Sequence, residues 1–354
     1  MNSPASRRVR TIAWGAIPVV LTGALVSLDH IPGTDVSLTV PYAAEGPGPT
    51  VDTLGEVDGT QVVDVQAPKT YDTDGHLNMT TVSVRTNMTL AQALGRWMMT
   101  DDTIVPIDTV IPQNMSDKEV EESNKQAFTQ SESAATLVAM DYLHLPVKIS
   151  IAEVLDKGAA QGKLKKDDVI TAVAGKEVSE PGEVQDIIKE KSPGDKVTMT
   201  VERGGKKHEE EIELGENPHQ KGQAMLGIAM LSVPKDDIEV TYNLQDIGGP
   251  SAGMMFTLAV IDKLSEEDLT GGKFVAGTGT IQEDGKVGPI GGIQHKIAAA
   301  HAAGAELFLA PQDNCSEAAA SDHGDMPIAE VSNLDEAVST MKDFADGKEI
   351  KTCQ

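Results

Sequence analysis

The pattern of apolar and polar residues predicts a chain of mixed α/β structure. Alternating positions predict strands at Leu77–Val84, Val147–Val154 and Asp237–Tyr242. Apolar residues at helical spacing predict one helix at Thr89–Met99 and a second within residues 114–142, which ends before a proline. The pattern of apolar and polar residues changes after this second helix, which indicates a separate domain there.

The start of the chain carries a pattern typical of a membrane anchor. An apolar run from Ile12 to Leu28 follows three arginines, and its length is close to the minimum for a spanning helix. Because basic residues stay on the cytoplasmic side, we predict a cytoplasmic segment at 1–10, an anchor at 11–28, and the rest outside the cytoplasmic membrane. A cleaved signal peptide is the alternative, and it exports the same residues.

Composition narrows the classes of partner and cofactor. The 354 residues carry a formal net charge of −26, which argues against a nucleic-acid partner because phosphate backbones need lysine and arginine. Two cysteines cannot build a zinc site of the CxxC type, and no HExxH pattern occurs, so we expect no metal and no other cofactor. Cys315 and Cys353 can form one disulfide in an oxidising compartment, and their spacing leaves this open.

The stretch AAQGKLKKDDVITAVAGKEV at 159–178 is similar to the core pattern of bacterial PDZ domains, with Asp167 where a glycine is usual. Residues 143–216 therefore resemble a PDZ domain. The resemblance implies a small β-rich domain that binds an extended peptide as an added strand. The sequence has no clear carboxylate-binding loop, so a spacer or a lid without a peptide stays an alternative.

Two segments near the C-terminus carry the candidate chemistry. Ser251 lies in a glycine-rich loop before an apolar stretch, Met254–Leu264, that is predicted to be a buried helix. Unpaired N–H groups at a helix N-terminus favour negative charge, so this loop can hold a tetrahedral oxyanion. Lys296 lies in a helix rich in Ile and Ala, where burial lowers a lysine pKa and lets the neutral amine act as a general base.

Together these segments resemble the proteolytic domain of Lon proteases. GPSAG at 249–253 is similar to that family's nucleophile loop, and TGTIQEDGKVGPIGGIQHK at 278–296 is similar to the block that ends on its catalytic lysine. The resemblance implies an α/β (α+β) Lon-type domain over residues 222–348. Two positions depart from the family, which often has acidic residues there: Gly248 and Thr280.

The same match assigns roles to individual residues. Ser251 is expected to be the nucleophile, Lys296 its general base, and Thr278 a hydrogen-bonding partner of this dyad. The remaining loop residues are expected to form the oxyanion and substrate site: Gly249, Pro250, Ala252 and Gly253.

The chain lacks the ATPase module of Lon proteases. No G-x-x-x-x-G-K-[ST] pattern occurs, so we expect ATP-independent cleavage of unfolded or flexible substrates. Gln130–Met140 is weakly similar to an early helix of the Lon proteolytic domain. Residues 29–142 are therefore either a separate exported region or part of the proteolytic fold, with the PDZ region inserted into it.

The whole order of segments resembles the membrane-anchored, PDZ-containing Lon-like peptidases of bacteria. We predict an ATP-independent serine endopeptidase that cleaves unfolded or exported proteins outside the cytoplasmic membrane and, by analogy, forms a homo-oligomer. The alternatives are a catalytically silent PDZ scaffold that presents peptides to other envelope proteases, and a small-molecule kinase built on a glycine-rich loop. We assign His295 and His301, which flank Lys296, to the surface or to the surroundings of the site.

Overall fold

The computed structural model describes residues 16, 22–23, 25–112, 115–217, 220–235, 238–244 and 248–354. The predicted cytoplasmic segment, residues 1–10, and most of the predicted anchor, residues 11–28, lie outside these ranges. Within the ranges, no helix combines the length and the apolar character needed to cross a bilayer.

The described chain is a mixed α/β structure, as its sequence pattern predicts. Its strands are β1 Tyr42–Asp52, β2 Glu56–Val57, β3 Thr60–Gln61, β4 Val63–Gln66, β5 His76–Arg85, β6 Thr103–Pro106, β7 Val147–Val154, β8 Val169–Val173, β9 Lys176–Glu177, β10 Lys196–Arg203, β11 Lys206–Glu213, β12 Gly215–Glu216, β13 Ala224–Met225, β14 Ile228–Pro234, β15 Glu239–Tyr242, β16 Phe274–Gly277, β17 Thr280–Ile281, β18 Val287–Gly288, β19 Leu307–Pro311 and β20 Ile328–Val331.

The helices include the two that the spacing of apolar residues predicts before the PDZ region. They are α1 Leu90–Met99, α2 Asp117–Tyr142, α3 Pro181–Lys189, α4 Gly253–Leu264, α5 Ile293–Ala303, α6 Cys315–Ala319 and α7 Leu334–Ala345, with short 3-10 turns at Ile107–Thr109 and Gln312–Asn314. The predictions for β5, α1 and α2 are therefore confirmed, with their ends shifted by a few residues.

One six-stranded sheet joins segments from both halves of the chain. Its strand order is β20-β19-β16-β5-β1-β6. The pairs from β20 to β5 are parallel, whereas β1 is antiparallel to both β5 and β6. Because β1, β5 and β6 precede the PDZ region and the other three strands follow it, the residues on either side of that region share one sheet.

Helices α2 and α4 pack against each other and connect the two segments further. Phe256 of α4 is fully buried, and its ring centroid lies 5.6 Å from that of Phe128 in α2 and 4.8 Å from that of Tyr242. Side chains of α4 are buried from Gly253 to Asp262, because nearly every position in this stretch is apolar. The loop before α4 is therefore fixed at the centre of the fold.

A second sheet belongs to the PDZ region. Its main order is β11-β10-β8-β7-β14, and it encloses a separate apolar core that includes Ile149, Ile170 and Val184. β14 pairs antiparallel with β7, so this sheet extends to Pro234. The sequence analysis ended the PDZ domain at 216 and began the next domain at 222, so it placed β14 outside the sheet to which it belongs. The reason is that β14 pairs with β7, which lies far away along the chain.

Asp167 occupies a turn where PDZ sequences usually have glycine. Its φ is 66°, in the left-handed region that residues other than glycine, asparagine and aspartate rarely adopt. Its N–H donates to Ile151 O at 2.8 Å, which fixes the turn before β8. Asp167 therefore adopts a left-handed conformation of the kind that glycine favours.

Cys315 and Cys353 form a disulfide, which the sequence had left open. Their Cα atoms lie 4.9 Å apart. Cys353 N–H also donates to Ile328 O at 2.9 Å, so the C-terminal residues lie along β20. The bond thus links α6 to the edge of the main sheet.

Candidate active site

The loop that carries Ser251, residues 248–253, is held by α2. Gly249 N–H donates to Asn124 O at 2.9 Å. Ser131 Oγ donates to Pro250 O at 3.1 Å. Asn124 and Ser131, about two turns apart on α2, therefore hold the loop backbone at Gly249 N–H and at Pro250 O, directly before Ser251.

Glycine at both ends of the loop permits its close approach to α2. A side chain at Gly248 would begin 3.0 Å from Asn124 Cβ. A side chain at Gly253 would begin 2.7 Å from Ser131 Oγ and 2.8 Å from Ile281 Cγ2. Gly248 stands where Lon proteases often have an acidic residue, and here the helix occupies that space.

Lys296 reaches the loop from α5. Its Nζ donates to Ser251 Oγ at 2.9 Å and to Thr278 Oγ1 at 2.8 Å. α5 begins after Gly292, whose φ of 65° is left-handed and where a Cβ would lie 2.8 Å from Val82 Cγ2. The structure therefore brings together the three side chains that the sequence singled out.

Thr278 connects Lys296 to the backbone of Ser251. Its Oγ1 donates to Ser251 O at 3.1 Å, so its lone pairs are free to accept from Lys296 Nζ. Gly279 N–H donates to the same carbonyl at 2.9 Å. The chain after β16 thus positions both Ser251 and Lys296.

Burial sets the protonation state of Lys296. Its side chain is 3% exposed, and no carboxylate within the described ranges forms an ion pair with it. Burial lowers its pKa to about 8, because the charged amine loses its hydration. An amine with that pKa is neutral in about one molecule in ten at pH 7, and in most molecules at pH 9.

Two backbone N–H groups within residues 249–253 have no partner in the described ranges. Gly249 N–H donates to Asn124, Gly253 N–H donates to Pro250 O, and Pro250 has no N–H. The remaining donors are the N–H groups of Ser251 and Ala252, directly before α4. They are the candidates for hydrogen bonding to an oxyanion. Of the four residues predicted for that role, Ala252 is the one whose N–H has no partner within the described ranges, and Ser251 supplies the other donor.

A cleft of about 370 Å³ opens onto Ser251 and Lys296. Its lining includes Ser251, Lys296 and Gly249 together with residues 81–84 of β5. β16 pairs with β5 only as far as Met79, so the following residues of β5 have no strand partner on that side in the described chain. The cleft is therefore bordered by an open strand edge.

The two histidines beside the lysine lie apart from the dyad's hydrogen bonds. His295 is 7% exposed, and His301 is exposed. In the part of the chain that the structure describes, Lys296 Nζ bonds only to Ser251 Oγ and Thr278 Oγ1, and Ser251 Oγ bonds only to Lys296 Nζ. A Ser-His arrangement is thus not formed.

Sequence reasoning missed the support that α2 gives to the loop. Asn124 contributes a backbone carbonyl, which any residue supplies, and Ser131 is one of several polar residues in that segment. The one available signal was the weak similarity of Gln130–Met140 to an early helix of the Lon proteolytic domain. It pointed to the right helix without naming the contacts.

Comparison with known families identifies a PDZ domain. The PDZ family matches residues 119–214. The chain is similar to the PDZ domain of the SdrC-like protein from Listeria monocytogenes, with 26% identity over 23% of this chain and 85% of that chain and a TM-score of 0.22. A solution structure from Geobacillus thermodenitrificans is 32% identical over 23% of this chain and 94% of that chain, also with a TM-score of 0.22.

Comparison with curated proteins finds Lon proteases. The Lon protease of Chloroflexus aggregans is 36% identical over 110 residues, which are 30% of this chain and 12% of that protein. Lon protease 1 of Bacillus subtilis is 35% identical over 29% of this chain and 12% of its own length. The Lon protease of Haemophilus influenzae is 29% identical over 44% of this chain and 17% of its own. The chain therefore matches between 12% and 17% of the length of these relatives.

Proposed function

We propose that the chain is an ATP-independent serine endopeptidase in which Ser251 is the nucleophile and Lys296 the general base. The observation that carries the proposal is the 2.9 Å hydrogen bond between Lys296 Nζ and Ser251 Oγ, with the lysine buried away from carboxylates. Partial similarity to Lon proteases supports it. A silent scaffold would have no need for a buried lysine with a lowered pKa beside a serine.

The reaction begins with proton transfer from Ser251 Oγ to the neutral amine of Lys296 as Oγ attacks the peptide carbonyl carbon. The carbonyl oxygen becomes an oxyanion and accepts hydrogen bonds from the N–H groups of Ser251 and Ala252. The Lys296 ammonium then gives its proton to the leaving amine, and the acyl group stays on Oγ as an ester. A water molecule, deprotonated by the same amine, hydrolyses this ester and restores the serine.

The substrate in this mechanism lies in the cleft as an extended chain. Residues 81–84 of β5 offer an unpaired strand edge along one wall, and an edge of this kind binds a polypeptide by main-chain hydrogen bonds. Folded proteins do not present such a segment, and the chain has no ATPase motif to unfold them. The proposed substrates are therefore unfolded or already cleaved polypeptides.

The proposed site of action is outside the cytoplasmic membrane, with the protein anchored by residues 11–28. The apolar run after three arginines supports this placement. The disulfide between Cys315 and Cys353 also supports it, because disulfides persist in oxidising compartments. Exported proteins that have lost their fold would be the natural substrates there.

A cleavage assay with the full chain in detergent tests the proposal. Casein, an unfolded protein, is incubated without nucleotide with wild type, Ser251→Ala and a control, Ser321→Ala, whose side chain is not part of the cleft lining. We expect the wild type and the control to cleave casein and Ser251→Ala to leave it intact. Equal cleavage by all three proteins, or none by any of them, would contradict the proposal.

A further inference from the structure

Helix α1 buries a small side chain and exposes its large apolar ones. Its buried residue is Ala93, which packs with Ala44 and Met88. Trp97, in contrast, is 66% exposed, and Met98 is 72% exposed. A helix that packs on a soluble domain normally turns its large apolar side chains towards the core. α1 instead presents an apolar face to its surroundings, made of residues at helical spacing: Leu90, Leu94, Trp97 and Met98.

Most of the exposed apolar surface of the described chain is concentrated in α1 and in the segment just after the predicted anchor. Fourteen large apolar side chains are exposed within the described ranges, and nine of them belong to α1 or to residues 25–36. Single exposed apolar residues are ordinary, whereas a concentration of them indicates an interaction surface. These two segments therefore share one partner if they lie close together.

Hydrogen bonds place the end of the predicted anchor beside the start of α1. Asp29 directly follows the anchor, and its carbonyl oxygen accepts from Leu38 N–H at 2.7 Å. The next residue, Thr39, pairs antiparallel with Thr89, the N-cap of α1. Each pairing spans about 5.5 Å between Cα atoms and the peptide unit between them about 3.8 Å, so Asp29 lies roughly 15 Å or less from Thr89. A bilayer crossed by the anchor would lie equally close to α1.

The residue types of α1 suit the surface of a bilayer. Its one charged residue, Arg96, forms an ion pair with Asp102. The chain carries a formal net charge of −26, so attraction to anionic headgroups is not the driving force. Trp97 belongs to the residue type that prefers the boundary between headgroups and acyl chains, where the ring is in apolar and the N–H in polar surroundings. The apolar face would therefore bind lipid through the hydrophobic effect.

We propose that the apolar face of α1 binds the outer surface of the cytoplasmic membrane, at the boundary between lipid headgroups and acyl chains. The inference rests on the proposed anchor at residues 11–28, because the anchor keeps the bilayer beside α1 at all times, whereas a second copy of the chain must first associate. α1 then lies in the plane of the membrane as a second contact. A single spanning helix leaves the exported domain free to turn, and the second contact fixes its orientation.

This orientation places the cleft near the bilayer. Residues 81–84 of β5 line the cleft, and α1 begins at Leu90. Six residues of extended chain span at most about 20 Å, so this part of the cleft lies within that distance of the membrane-bound helix. Unfolded segments that lie on the membrane surface or emerge from it are therefore the substrates that the orientation favours.

Tryptophan fluorescence tests the proposal in the full chain. The sequence has two tryptophans, so Trp14→Phe leaves Trp97 as the one reporter. The variant is reconstituted into phosphatidylcholine bilayers with and without bromine on the acyl chains, which quenches tryptophans in contact with them. We expect bromine to lower the emission at least about twofold. Unchanged emission would overturn the proposal, and so would a blue-shifted emission that bromine does not quench, which would indicate a second copy of the chain as the partner.

A polar variant of the apolar face has a matched control. On the Trp14→Phe background, Leu94→Gln combined with Met98→Gln should reduce the effect of bromine by about half or more, because amide groups resist transfer into the apolar boundary. Val57→Gln combined with Leu155→Gln makes the same kind of change at two exposed apolar positions outside α1. We expect this control to behave like Trp14→Phe alone. Equal loss in both variants, or no loss in either, would overturn the proposal.

A lipid-linked substrate tests the orientation. A reporter peptide is attached to phosphatidylcholine vesicles through a linker of six residues, and the same peptide is also supplied free in solution. The Leu94→Gln, Met98→Gln variant should cleave the attached peptide about threefold or more slowly than the wild type and the free peptide equally fast, because a cleft that is no longer held near the bilayer meets a short tether less often. Equal cleavage of the attached peptide by both proteins would overturn the orienting role of α1.

Two readouts separate this proposal from those on which it rests. Trp97→Phe leaves Trp14, which lies in the predicted anchor, as the one reporter. Quenching of Trp14 without quenching of Trp97 would overturn the contact of α1 and retain the anchor. Quenching of Trp97 alone would support the contact of α1 and count against the anchor. Loss of casein cleavage in bilayers where both tryptophans are quenched would count against the peptidase function instead.

Discussion

The two halves of the molecule bury charge in opposite ways. In the PDZ region Asp168 is 1% exposed, and Arg203 donates to its two oxygens at 2.6 Å each. Burial raises the pKa of Asp168, but the hydrogen bonds from Arg203 and from Lys165 N–H outweigh it, so the pKa ends below its ordinary value. In the main domain Lys296 is equally buried, without a carboxylate, and its pKa falls to about 8.

The difference separates a charge that its partner stabilises from one that burial alone destabilises. A buried carboxylate with a bidentate partner stays ionised and holds its neighbours in place. A buried amine without such a partner loses its proton near physiological pH and can then accept one. The serine 2.9 Å from Lys296 is the group from which that proton would come.

Removing the reactive charge should have the largest effect. Lys296→Met keeps a long side chain in an apolar site, so we expect the fold to be retained and the cleavage of a reporter peptide to fall by at least about 10⁴-fold. Ser251→Ala should cost as much. Activity above a tenth of the wild-type value in either variant, with thermal unfolding unchanged, would contradict the proposed Ser251–Lys296 dyad.

Removing the structural cation should instead affect stability. Arg203→Met leaves Asp168 buried without its partner, and we expect a loss of about 3 kcal/mol in the free energy of unfolding, measured by urea at pH 7. The contribution is present above the ordinary pKa of 3.8 and is lost as the pH falls through the lowered value. Lys196→Met, which breaks the exposed pair with Glu211, serves as control and should change little. Similar losses in both variants would contradict the distinction.

The hydrogen bond from Lys296 to Thr278 should have an intermediate effect. Thr278→Val keeps the shape of the side chain but removes the hydroxyl, so the amine loses one of its two positioning contacts. We expect kcat to fall about 10- to 100-fold, because small displacements of a catalytic group are costly. Thr278→Ser should restore most of this loss. A valine variant that retains full kcat would show that the hydroxyl does not orient the lysine.

A third buried charge gives the smallest effect. Asp262 on α4 is fully buried, and burial raises its pKa from 3.8 to about 6, while Leu269 N–H donates to Oδ1 at 2.8 Å. Stability that the protonated form provides is therefore present below pH 3.8 and is lost as the pH rises through 6. Asp262→Asn should gain up to about 1 kcal/mol over wild type at pH 7 and less at pH 4.5. A gain that does not depend on pH would point to another cause.

The elements and residues that local sequence determines could be predicted. β5, α1 and α2 follow from the spacing of apolar residues, and the PDZ region follows from the motif at 159–178. Ser251, Thr278 and Lys296 were named from two motifs, and the structure brings their side chains together. Their catalytic roles stay predictions.

The features that depend on pairing between distant segments could not be predicted. β14 alternates like any half-buried strand, and only its partner β7 assigns it to the PDZ sheet. Asn124 acts through its backbone carbonyl, so its side chain carries no signal. The spacing of Cys315 and Cys353 along the sequence does not predict that their Cα atoms lie 4.9 Å apart. In each case the fold, and not the local sequence, sets the distance.

The pH dependence of kcat/KM tests most directly whether Lys296 is a base made reactive by burial. A reporter peptide without titratable groups is cleaved by the wild type from pH 6 to pH 10, with circular dichroism as a check that the fold is retained. The account predicts a tenfold rise per pH unit at low pH, a midpoint at about 8 and a plateau above it, because the neutral amine is the active form. A flat profile between pH 6.5 and 9 would contradict a lysine base.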